Sequence, residues 1–419
     1  MAHALILGAS GISGWSLLNQ ACSYPTPTTF KRITGTTNRP LTLEQAQLPA
    51  DDRLHIASGI DFTKSVDEVA LSLKQRIPDV DSISHVFYTA YAKGTDLETQ
   101  VALNTGLLEV AVQAIERVSS NLKVIILQTG GKGYGVTYPK EVKIRPPLKE
   151  DLPRIPAPWA DGIFYYNQYD ALKKLSQGKP WTFSEIRPDA IVGFAPTANA
   201  MNMAKGIGIY LAIHRAVHGD GAGVPFPGPE HGYHATHTDT FQDILSKLEI
   251  HAAVNTTECG GGGAFNAADG QTVSWSQVWP RLCEYFGLRG RGPAPRSAPI
   301  QDFVRKNEGA WVALAKEHGL EEGVVGDFDW SFLDFMLVQC DFDREFDLTR
   351  SREVGFREEI DTVQGYVTSW ERMKAAKQLP LSSHTNTASR LNGKSVTEAP
   401  KQQLVYHAAF TMFLKSATH

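Results

Sequence analysis

Three glycines near the amino terminus have the spacing of a nucleotide-binding turn. Gly8, Gly11 and Gly14 follow the apolar run 4–7 and precede a helix that we expect to end at about Ala21. The first glycine permits a tight turn, the second lets the backbone approach a pyrophosphate, and the third lets the helix pack close to the strand. The helix amino terminus offers free N–H groups to the phosphates. The pattern therefore predicts a dinucleotide-binding site.

The end of the second predicted strand indicates which dinucleotide binds. An acidic residue there binds the ribose hydroxyl of NAD, whereas an arginine accommodates the 2′-phosphate of NADP. The strand 31–36 runs into Thr37, Asn38, Arg39 and Pro40, with no Asp or Glu. Because Arg39 can form charge-assisted hydrogen bonds with a phosphate, NADP (NADPH) is the predicted cofactor. The alternative is that Arg39 is only a solvated surface residue.

The tyrosine expected to be catalytic lacks its usual lysine. In short-chain dehydrogenases/reductases, a glycine turn of this kind predicts a Tyr-x-x-x-Lys pair downstream. The candidate segment is Ile-Phe-Tyr-Tyr-Asn-Gln-Tyr-Asp at 163–170, where Tyr169 and Asp170 stand four residues after Tyr165 and Tyr166. Either the chain is an inactive reductase, or another segment supplies the cation.

A lysine occurs in the turn after the fifth predicted strand. The strand 123–128 leads into Thr-Gly-Gly-Lys-Gly-Tyr-Gly at 129–135. When this turn is compared with that of extended short-chain dehydrogenases, the position of the catalytic serine falls on Gly130. Lys132 follows two residues later.

Several longer motifs resemble those of one family. Residues 128–134 resemble the Q-T-G-x-K-H-Y motif of the progesterone 5β-reductase/iridoid synthase-like family, and residues 163–170 resemble its N-F-Y-Y-x-x-E-D motif. Residues 193–202 resemble G-F-S-P-x-S-x-M-N, and residues 150–154 match E-D-L-P-R. The resemblance covers about residues 4–380.

The resemblance implies both the catalytic residues and the reaction. Lys132 and Tyr165 stand where the family has its catalytic pair. The implied reaction is NADPH-dependent 1,4-reduction of an enone or enal in a hydrophobic small molecule. Tyr165 would donate a hydrogen bond to the enolate oxygen. Lys132 would place positive charge nearby and favour a lower pKa of Tyr165.

Three residues around this pair depart from the family pattern. Gly133 replaces its His, Ile163 its Asn, and Tyr169 its Glu. The changes leave a proton donor and a cation in place but alter their surroundings. Tyr166 is a rival to Tyr165 that only the family pattern excludes. Two other hypotheses stay open: a 1,2-carbonyl reductase or epimerase-like enzyme, and a catalytically silent NADP-binding regulator.

The other predicted contacts lie where strands end, because ligands of such folds bind outside the carboxyl ends of the strands. We expect residues 61–62 to flank the adenine and residues 191–192 to bind the nicotinamide, with Asn199 nearby. The residues predicted to contact the cofactor are Gly8, Ser10, Gly11, Ile12, Gly14, Asn38, Arg39, Asp61, Phe62, Thr89, Ala90, Gln128, Tyr165, Ile191, Val192, Met201 and Asn202.

The elements that position these residues alternate along the chain. Helices are predicted at 65–76 and 97–118, and strands at 4–7, 31–36, 55–60, 84–90, 123–128 and 182–187. This alternation predicts an α/β fold: a Rossmann, doubly wound parallel sheet with a smaller, mainly helical C-terminal substrate-binding lobe. We expect an NADP-binding domain at 1–195, a substrate-binding lobe at 196–380 with some segments returning to the Rossmann domain, and a polar, flexible tail at 381–419.

Two further patterns have simple structural interpretations. The segment 231–237 reads H-x-x-H-x-x-H but brings no supporting carboxylates. We therefore expect no metal there, and a loop before a helix at 239–248 with Thr238 or Asp239 as its cap. The four glycines at 260–263 predict a flexible loop.

Composition limits the classes of partner. The net charge of −4 comes from 41 basic and 45 acidic residues, which favours neither a nucleic-acid nor a membrane partner. No apolar stretch reaches about 18 residues, the length a membrane helix needs. The four separated cysteines and the absence of a signal peptide predict a cytoplasmic protein with reduced thiols. A homodimer stays open.

Overall fold

A parallel sheet of seven strands forms the centre of the protein. The computed structural model describes residues 2–197, 199, 201–321, 323–326 and 328–380, so the predicted tail at 381–419 lies outside the described residues. The strands are β1 (His3–Leu7), β2 (Arg32–Thr37), β3 (Leu54–Ser58), β4 (His85–Tyr88), β5 (Val124–Gln128), β6 (Thr182–Pro188), β7 (Ala190–Val192), β8 (Gly223–Pro225), β9 (Thr236–His237), β10 (Asp239–Phe241), β11 (Gly263–Ala267), β12 (Val273–Ser274) and β13 (Arg289–Arg291).

Helices cover both faces of this sheet and make up most of the regular structure in the C-terminal part of the chain. They are α1 (Ile12–Ala21), α2 (Leu43–Ala46), α3 (Val66–Arg76), α4 (Leu97–Val118), α5 (Phe164–Leu175), α6 (Met203–His218), α7 (Glu230–His234), α8 (Gln242–Val254), α9 (Thr256–Cys259), α10 (Trp275–Tyr285), α11 (Ile300–Lys306), α12 (Glu308–His318), α13 (Trp330–Asp334), α14 (Thr349–Glu353) and α15 (Thr362–Ala375). Within the described ranges, no helix is both long and apolar enough to cross a lipid bilayer.

The strand order is that of a doubly wound sheet. The sequence β11-β6-β5-β4-β1-β2-β3 reverses direction at β1, whose two neighbours are β2 and β4. A ligand crevice forms at such a reversal, beyond the carboxyl ends of the strands. The predicted fold class is confirmed. The fourth strand is shorter than predicted and ends at Tyr88, which leaves Thr89 and Ala90 beyond it, at the crevice.

The apolar run that begins the chain is buried on both faces of the sheet, as parallel strands are. Leu5 and Leu7 pack with residues of α3 and α4, whereas Ala4 and Ile6 pack with residues of α1 and α8. This double burial explains why the run lacks the alternation of an exposed strand.

Two elements from the second half of the chain, a strand and a helix, add to the Rossmann sheet and its covering layer. β11 extends the sheet beside β6, with Phe265 opposite Ile186. α8 packs against α1, β5 and β6 and so covers one face of the same sheet. Most of the remaining C-terminal helices pack around the fully buried side chains of Trp279 and Trp370, in a core that Trp15 of α1 also joins.

The helix predicted at 239–248 is present, but its predicted first residue was wrong. Residues Asp239–Phe241 form β10, which pairs in parallel with β7, and α8 then runs on to Val254. Thr238 does not cap the helix, because its hydroxyl donates to the Asp189 carboxylate at 3.0 Å. Asp239 is fully buried and accepts a hydrogen bond from Tyr366 at 3.0 Å. Thr238 and Asp239 therefore bind residues distant in sequence instead of capping a helix, which is why the prediction from local sequence failed.

The glycine run at 260–263 forms the predicted loop before a short strand: residues 260–262 connect α9 to β11, and Gly263 is the first residue of β11. The Gly261 N–H donates to Thr182 Oγ1 at 2.6 Å and the Gly262 N–H to the Phe183 carbonyl at 2.9 Å. The Tyr169 hydroxyl donates to the Gly262 carbonyl at 2.9 Å. Gly262 has a φ of +81°, where a side chain is strained. The glycines therefore serve close backbone approach and turn geometry.

Replacing Gly262 should destabilise the protein. In Gly262→Ala, the new Cβ would lie 2.8 Å from the Tyr169 hydroxyl oxygen at a positive φ. We expect the free energy of unfolding to fall by about 1–3 kcal/mol, measured by urea denaturation. Gly106→Ala is the matched control, because no atom lies within 4 Å of its Cβ position on α4. Alanine should leave that stability unchanged or raise it. Equal stability of the two variants would contradict the assignment.

Candidate active site

The glycine turn lies at the reversal point of the sheet. The Gly8 N–H donates to the Thr36 carbonyl at 3.3 Å, which joins the ends of β1 and β2. A Cβ at Gly14 would collide with the Gly8 carbonyl oxygen, and a Cβ at Gly8 would lie 3.0 Å from the Ala90 Cα atom. Only glycine permits these approaches.

The first turn of α1 is open to an anion. α1 begins after Gly11, and no side chain in the described part of the chain caps it. The N–H groups of this turn, beside Ser10 and Ile12, can therefore point towards a phosphate. The Thr197 hydroxyl donates to the Ser10 carbonyl at 3.2 Å and brings the segment after β7 against the glycine turn.

The residues predicted to select the cofactor lie beyond β2 and β3. Asn38 and Arg39 are exposed, and Arg39 forms no ion pair with any residue in the described part of the chain. The Asp61 carboxylate accepts hydrogen bonds from the Thr63 N–H and hydroxyl at 3.0 and 2.7 Å. Phe62 is buried in the core between the sheet and α3.

Unpaired polar atoms lie where the crevice is expected. The Tyr88 hydroxyl oxygen, Gln128 Oε1 and Asn199 Oδ1 are buried without a hydrogen-bond partner among the described residues. Buried polar groups are normally paired, so atoms of this kind mark places where a ligand can complete the hydrogen bonding. The end of β4 is itself fixed, because the Thr89 N–H and hydroxyl both donate to the Leu7 carbonyl at 3.0 and 2.8 Å. These residues fit a bound dinucleotide.

The segment predicted to hold the nicotinamide has mixed exposure. Val192 is buried in β7, Ile191 is partly buried, and Met201 is 40% exposed. Asn202 is fully buried and caps α6: it accepts from the Lys205 N–H at 3.1 Å and donates to the carbonyl of Gly193 at 2.7 Å. Asn202 therefore has a structural role, and its contact with the cofactor stays a prediction.

Lys132 and Tyr165 line the same cavity. Lys132 is on the 3₁₀ turn Gly131–Tyr134 after β5, and Tyr165 is in the first turn of α5. The cavity measures about 120 Å³ and is lined by Leu97, Gln100, Lys132, Thr137, Tyr138, Gly162, Ile163, Phe164 and Tyr165. Neither the Lys132 ammonium nor the Tyr165 hydroxyl has a hydrogen bond or ion pair within the described residues. Both groups are thus free to bind a ligand.

Burial changes the acidity of both groups. Burial raises the pKa of Tyr165, and the charges of Tyr91 and Glu185 raise it further. Burial lowers the pKa of Lys132. The expectation that Lys132 lowers the pKa of Tyr165 is contradicted, because this pKa is raised and the loss of water around the phenol is the largest cause. Tyr165 is therefore a neutral hydrogen-bond donor.

Tyr166 is occupied elsewhere. Its hydroxyl donates to the Gly133 carbonyl at 2.6 Å and accepts from the Ile155 N–H at 3.1 Å. The Arg154 guanidinium lies 4.7 Å from its ring centroid and is paired with Asp170 at 2.7 Å. The rival tyrosine thus holds the Lys132 turn against α5.

The glycine at the usual serine position lies beside Tyr165. A Cβ at Gly130 would lie 3.6 Å from the Tyr165 hydroxyl oxygen. A serine there would place a second hydroxyl next to the phenol. The same Cβ position lies 3.3 Å from the Pro188 carbonyl oxygen, so a side chain at residue 130 would pack between that carbonyl and the phenol.

The three departures from the family pattern have different surroundings. Ile163 is buried and lines the cavity, which makes its wall more apolar. A Cβ at Gly133 would lie 3.7 Å from the Tyr166 ring. The Tyr169 hydroxyl reaches Gly262, so this residue joins α5 to the turn before β11.

A buried polar network under the Lys132 turn was missed from the sequence. Glu185 accepts hydrogen bonds from the Thr129 hydroxyl and the Arg187 guanidinium, both at 2.7 Å. Arg187 also donates to the Tyr134 hydroxyl at 3.2 Å, and that hydroxyl donates to Asn266 Oδ1 at 2.6 Å. The sequence did contain a signal for this network: Glu185 and Arg187 are two residues apart in a strand that is otherwise buried, and buried charges need partners.

The three histidines of the segment 231–237 do not converge. His234 lies 3.1 Å from Glu230, whereas His237 is buried with its ring 4.8 Å from that of Trp275. Within the described residues, no three His, Cys, Asp or Glu side chains are arranged to hold a metal ion.

Comparison with known proteins gives full-length matches. A family model described as the PRISE-like Rossmann-fold domain matches residues 4–380. The short chain dehydrogenase sirQ of Leptosphaeria maculans is 37% identical over 92% of this chain and 100% of its own length. The 3-oxo-Δ4,5-steroid 5β-reductase of Arabidopsis thaliana is 27% identical over 90% of this chain and 93% of its own length.

Solved structures support the fold. The UDP-glucuronic acid 4-epimerase of Bacillus cereus, solved in complex with NAD, superposes with a TM-score of 0.56 at 12% identity, covering 90% of this chain and 99% of that one. Likeness at this identity bears on the fold alone. The family match and the sirQ relative carry the assignment: this chain belongs to the PRISE-like Rossmann-fold family and is an oxidoreductase of the short-chain dehydrogenase/reductase type.

Proposed function

We propose that this protein is an NADPH-dependent reductase that reduces the activated C=C bond of an enone or enal in a hydrophobic small molecule. The observation that carries the proposal is the cavity shared by Lys132 and Tyr165. It brings together a cation that has no ion pair with any described residue and a neutral hydroxyl donor, with apolar walls supplied by Leu97, Ile163 and Phe164. This combination suits a substrate with one oxygen and a hydrocarbon body.

The two polar groups match the charge that develops in a 1,4-reduction. Bound NADPH would supply a hydride to the β-carbon, and the π electrons would move to the carbonyl oxygen to give an enolate. Tyr165 would donate a hydrogen bond to that oxygen, and Lys132 would stabilise its negative charge. Burial strengthens both interactions, because water no longer competes for the oxygen. Protonation of the α-carbon then completes the saturated carbonyl product.

The name of one relative supports reduction at the C=C bond. The Arabidopsis protein is named for a 3-oxo-Δ4,5-steroid and for reduction at the 5β position, which is the β-carbon of that enone.

The rival activities make different predictions. A 1,2-carbonyl reductase would use the same donor and cation at the carbonyl oxygen but would deliver hydride to the carbonyl carbon. An epimerase-like enzyme would return hydride to its substrate and consume no net NADPH. A silent NADP-binding regulator would bind NADPH without turnover.

Deuterium transfer separates these activities. The purified protein is incubated with NADPH deuterated at C4 of the nicotinamide and with a panel of cyclic and acyclic enones. The proposal expects a saturated ketone with deuterium at the β-carbon, detected by NMR. An allylic alcohol with deuterium at the carbinol carbon would establish 1,2-reduction. Tight NADPH binding with no product from any enone, enal or ketone would support the regulator.

Removing either polar group should reduce catalysis more than cofactor binding. We expect Tyr165→Phe and Lys132→Met each to lower kcat by about 10²–10³-fold, the usual effect of losing one oxyanion donor. The dissociation constant for NADPH should stay within about threefold, measured by fluorescence titration. Because both groups act on one oxygen, the double variant should lose less than the product of the two single effects.

Tyr169→Phe is the matched control for this pair. It removes a phenol hydroxyl from the same helix, where the group binds the Gly262 carbonyl. We expect the free energy of unfolding to fall by about 1 kcal/mol while kcat stays within about twofold. Wild-type turnover in Tyr165→Phe would remove Tyr165 from the catalytic role.

Arg39 should determine the preference for NADPH. It is exposed, unpaired within the described residues and placed after β2, where the ribose phosphate is expected. Arg39→Ala should weaken NADPH binding about tenfold or more and leave NADH binding within about twofold, because only NADPH loses a charge-assisted hydrogen bond. Arg32→Ala, at the other end of β2, is the control. An equal loss for both nucleotides would exclude phosphate recognition by Arg39.

A further inference from the structure

A segment of the C-terminal part, residues Arg344–Asp347, packs against the turn that carries Lys132. We call it the crossing segment. The Arg344 N–H donates to the Thr236 carbonyl at 2.9 Å. The Leu148 N–H donates to the Glu345 carbonyl at 2.8 Å, and the Asp347 N–H donates to the Leu148 carbonyl at 2.9 Å. The backbone of the segment is thus hydrogen-bonded on both sides.

Phe346, in the middle of this segment, packs against the turn that carries Lys132. A Cβ at Gly131 would lie only 3.2 Å from the Cζ atom of the Phe346 ring. The ring also meets the Tyr134 ring edge to face, with centroids 5.3 Å apart. Phe346 therefore touches the residues at both ends of the 3₁₀ turn Gly131–Tyr134, and its side chain is buried.

Arg344 anchors the crossing segment to the rest of the fold. Its guanidinium is buried and donates to the Asp189 carboxylate at 2.6 Å and to the Thr238 carbonyl at 3.3 Å. A second carboxylate, that of Asp239, lies 3.9 Å away. Asp189 directly precedes β7, so the same segment is paired with the residue that leads into the strand predicted to hold the nicotinamide.

We propose that Phe346 is a positioning residue: packed on an anchored segment, it holds the Lys132 turn so that the ammonium stays in the cavity beside Tyr165. This rests on the proposed function. Catalysis depends steeply on the position of such a group, since a displacement of about 1 Å can reduce the rate about a hundredfold. A ring contacting both ends of a short turn restricts that movement directly.

The test replaces the ring by a smaller apolar side chain. Phe346→Leu opens space beside Gly131, so the turn should loosen and Lys132 should become more hydrated. We expect kcat for the enone to fall about tenfold while the dissociation constant for NADPH stays within about twofold. The pKa of Lys132, which burial lowers, should move up towards its ordinary value. Since activity needs the charged ammonium, the alkaline limb of the kcat profile should move to higher pH.

Phe356→Leu is the matched control. Phe356 is 3% exposed, against 4% for Phe346, and packs near His251 in the core beside α8. Both variants should lower the midpoint of thermal unfolding, but Phe356→Leu should change neither kcat nor the alkaline limb. If Phe346→Leu does not fold, Phe346→Met, which fills more of the space, takes its place. Equal kcat and pH profiles for the two sites would overturn the proposal.

A readout independent of turnover keeps this inference separate from the proposed function. Competitive acetylation of Lys132 at a series of pH values, followed by mass spectrometry, reports its pKa in each variant. If the wild type reduces no enone but Phe346→Leu still raises the pKa of Lys132, the proposed function fails and the positioning role stands. If the wild type is active and the Lys132 pKa is the same in all variants, the positioning role fails.

Discussion

The ion pair between Arg187 and Glu185 is the interaction on which the arrangement of the candidate site depends. Both side chains are largely buried, and their atoms approach to 2.7 Å. Breaking a buried pair by removing one partner costs about 3–5 kcal/mol, because an uncompensated charge remains. Glu185 also accepts from Thr129, while Arg187 donates to Tyr134, which in turn binds Asn266. One pair of charges thus connects β6 to both ends of the turn after β5 and to β11.

The cavity that Tyr165 lines also contains a lysine, but this lysine comes from a different element than in the usual short-chain pattern. In the usual short-chain pattern, the lysine follows the tyrosine by one helical turn, where this chain has Tyr169. Here Lys132, on the turn after β5, lines the same cavity as Tyr165. Stabilising an oxyanion requires a donor and a charge near one oxygen, and it places no condition on which element carries each. Tyr169, which stands at the usual lysine position, instead donates a hydrogen bond from α5 to the Gly262 carbonyl.

Late parts of the chain complete the early domain. β11 supplies Asn266 to the network under the site, α8 covers one face of the sheet, and the crossing segment packs against the Lys132 turn. The nucleotide-binding half of the chain therefore depends on residues more than a hundred positions away. The geometry of the cavity is set by contacts between regions that are distant in sequence.

Much of the fold was predictable because its signals are local. The apolar run before Gly8, the glycine spacing and the amphipathic helix 97–118 each reflect backbone geometry or burial of one element, and all were placed correctly. Lys132 and Tyr165 were identified from motif resemblance, and that they share one cavity required the fold.

What the sequence by itself determined was the class of fold and the glycine turn, because short-range spacing encodes them, whereas the choice of Lys132 and Tyr165 came from resemblance to the motifs of one family. Only the tertiary structure decided that the Tyr166 hydroxyl is hydrogen-bonded to the backbone, that burial raises the pKa of Tyr165, and that the glycines at 260–263 form a hydrogen-bonded turn. Each of these depends on which residues distant in sequence surround the group and on how much water they exclude. Local sequence predicts neither.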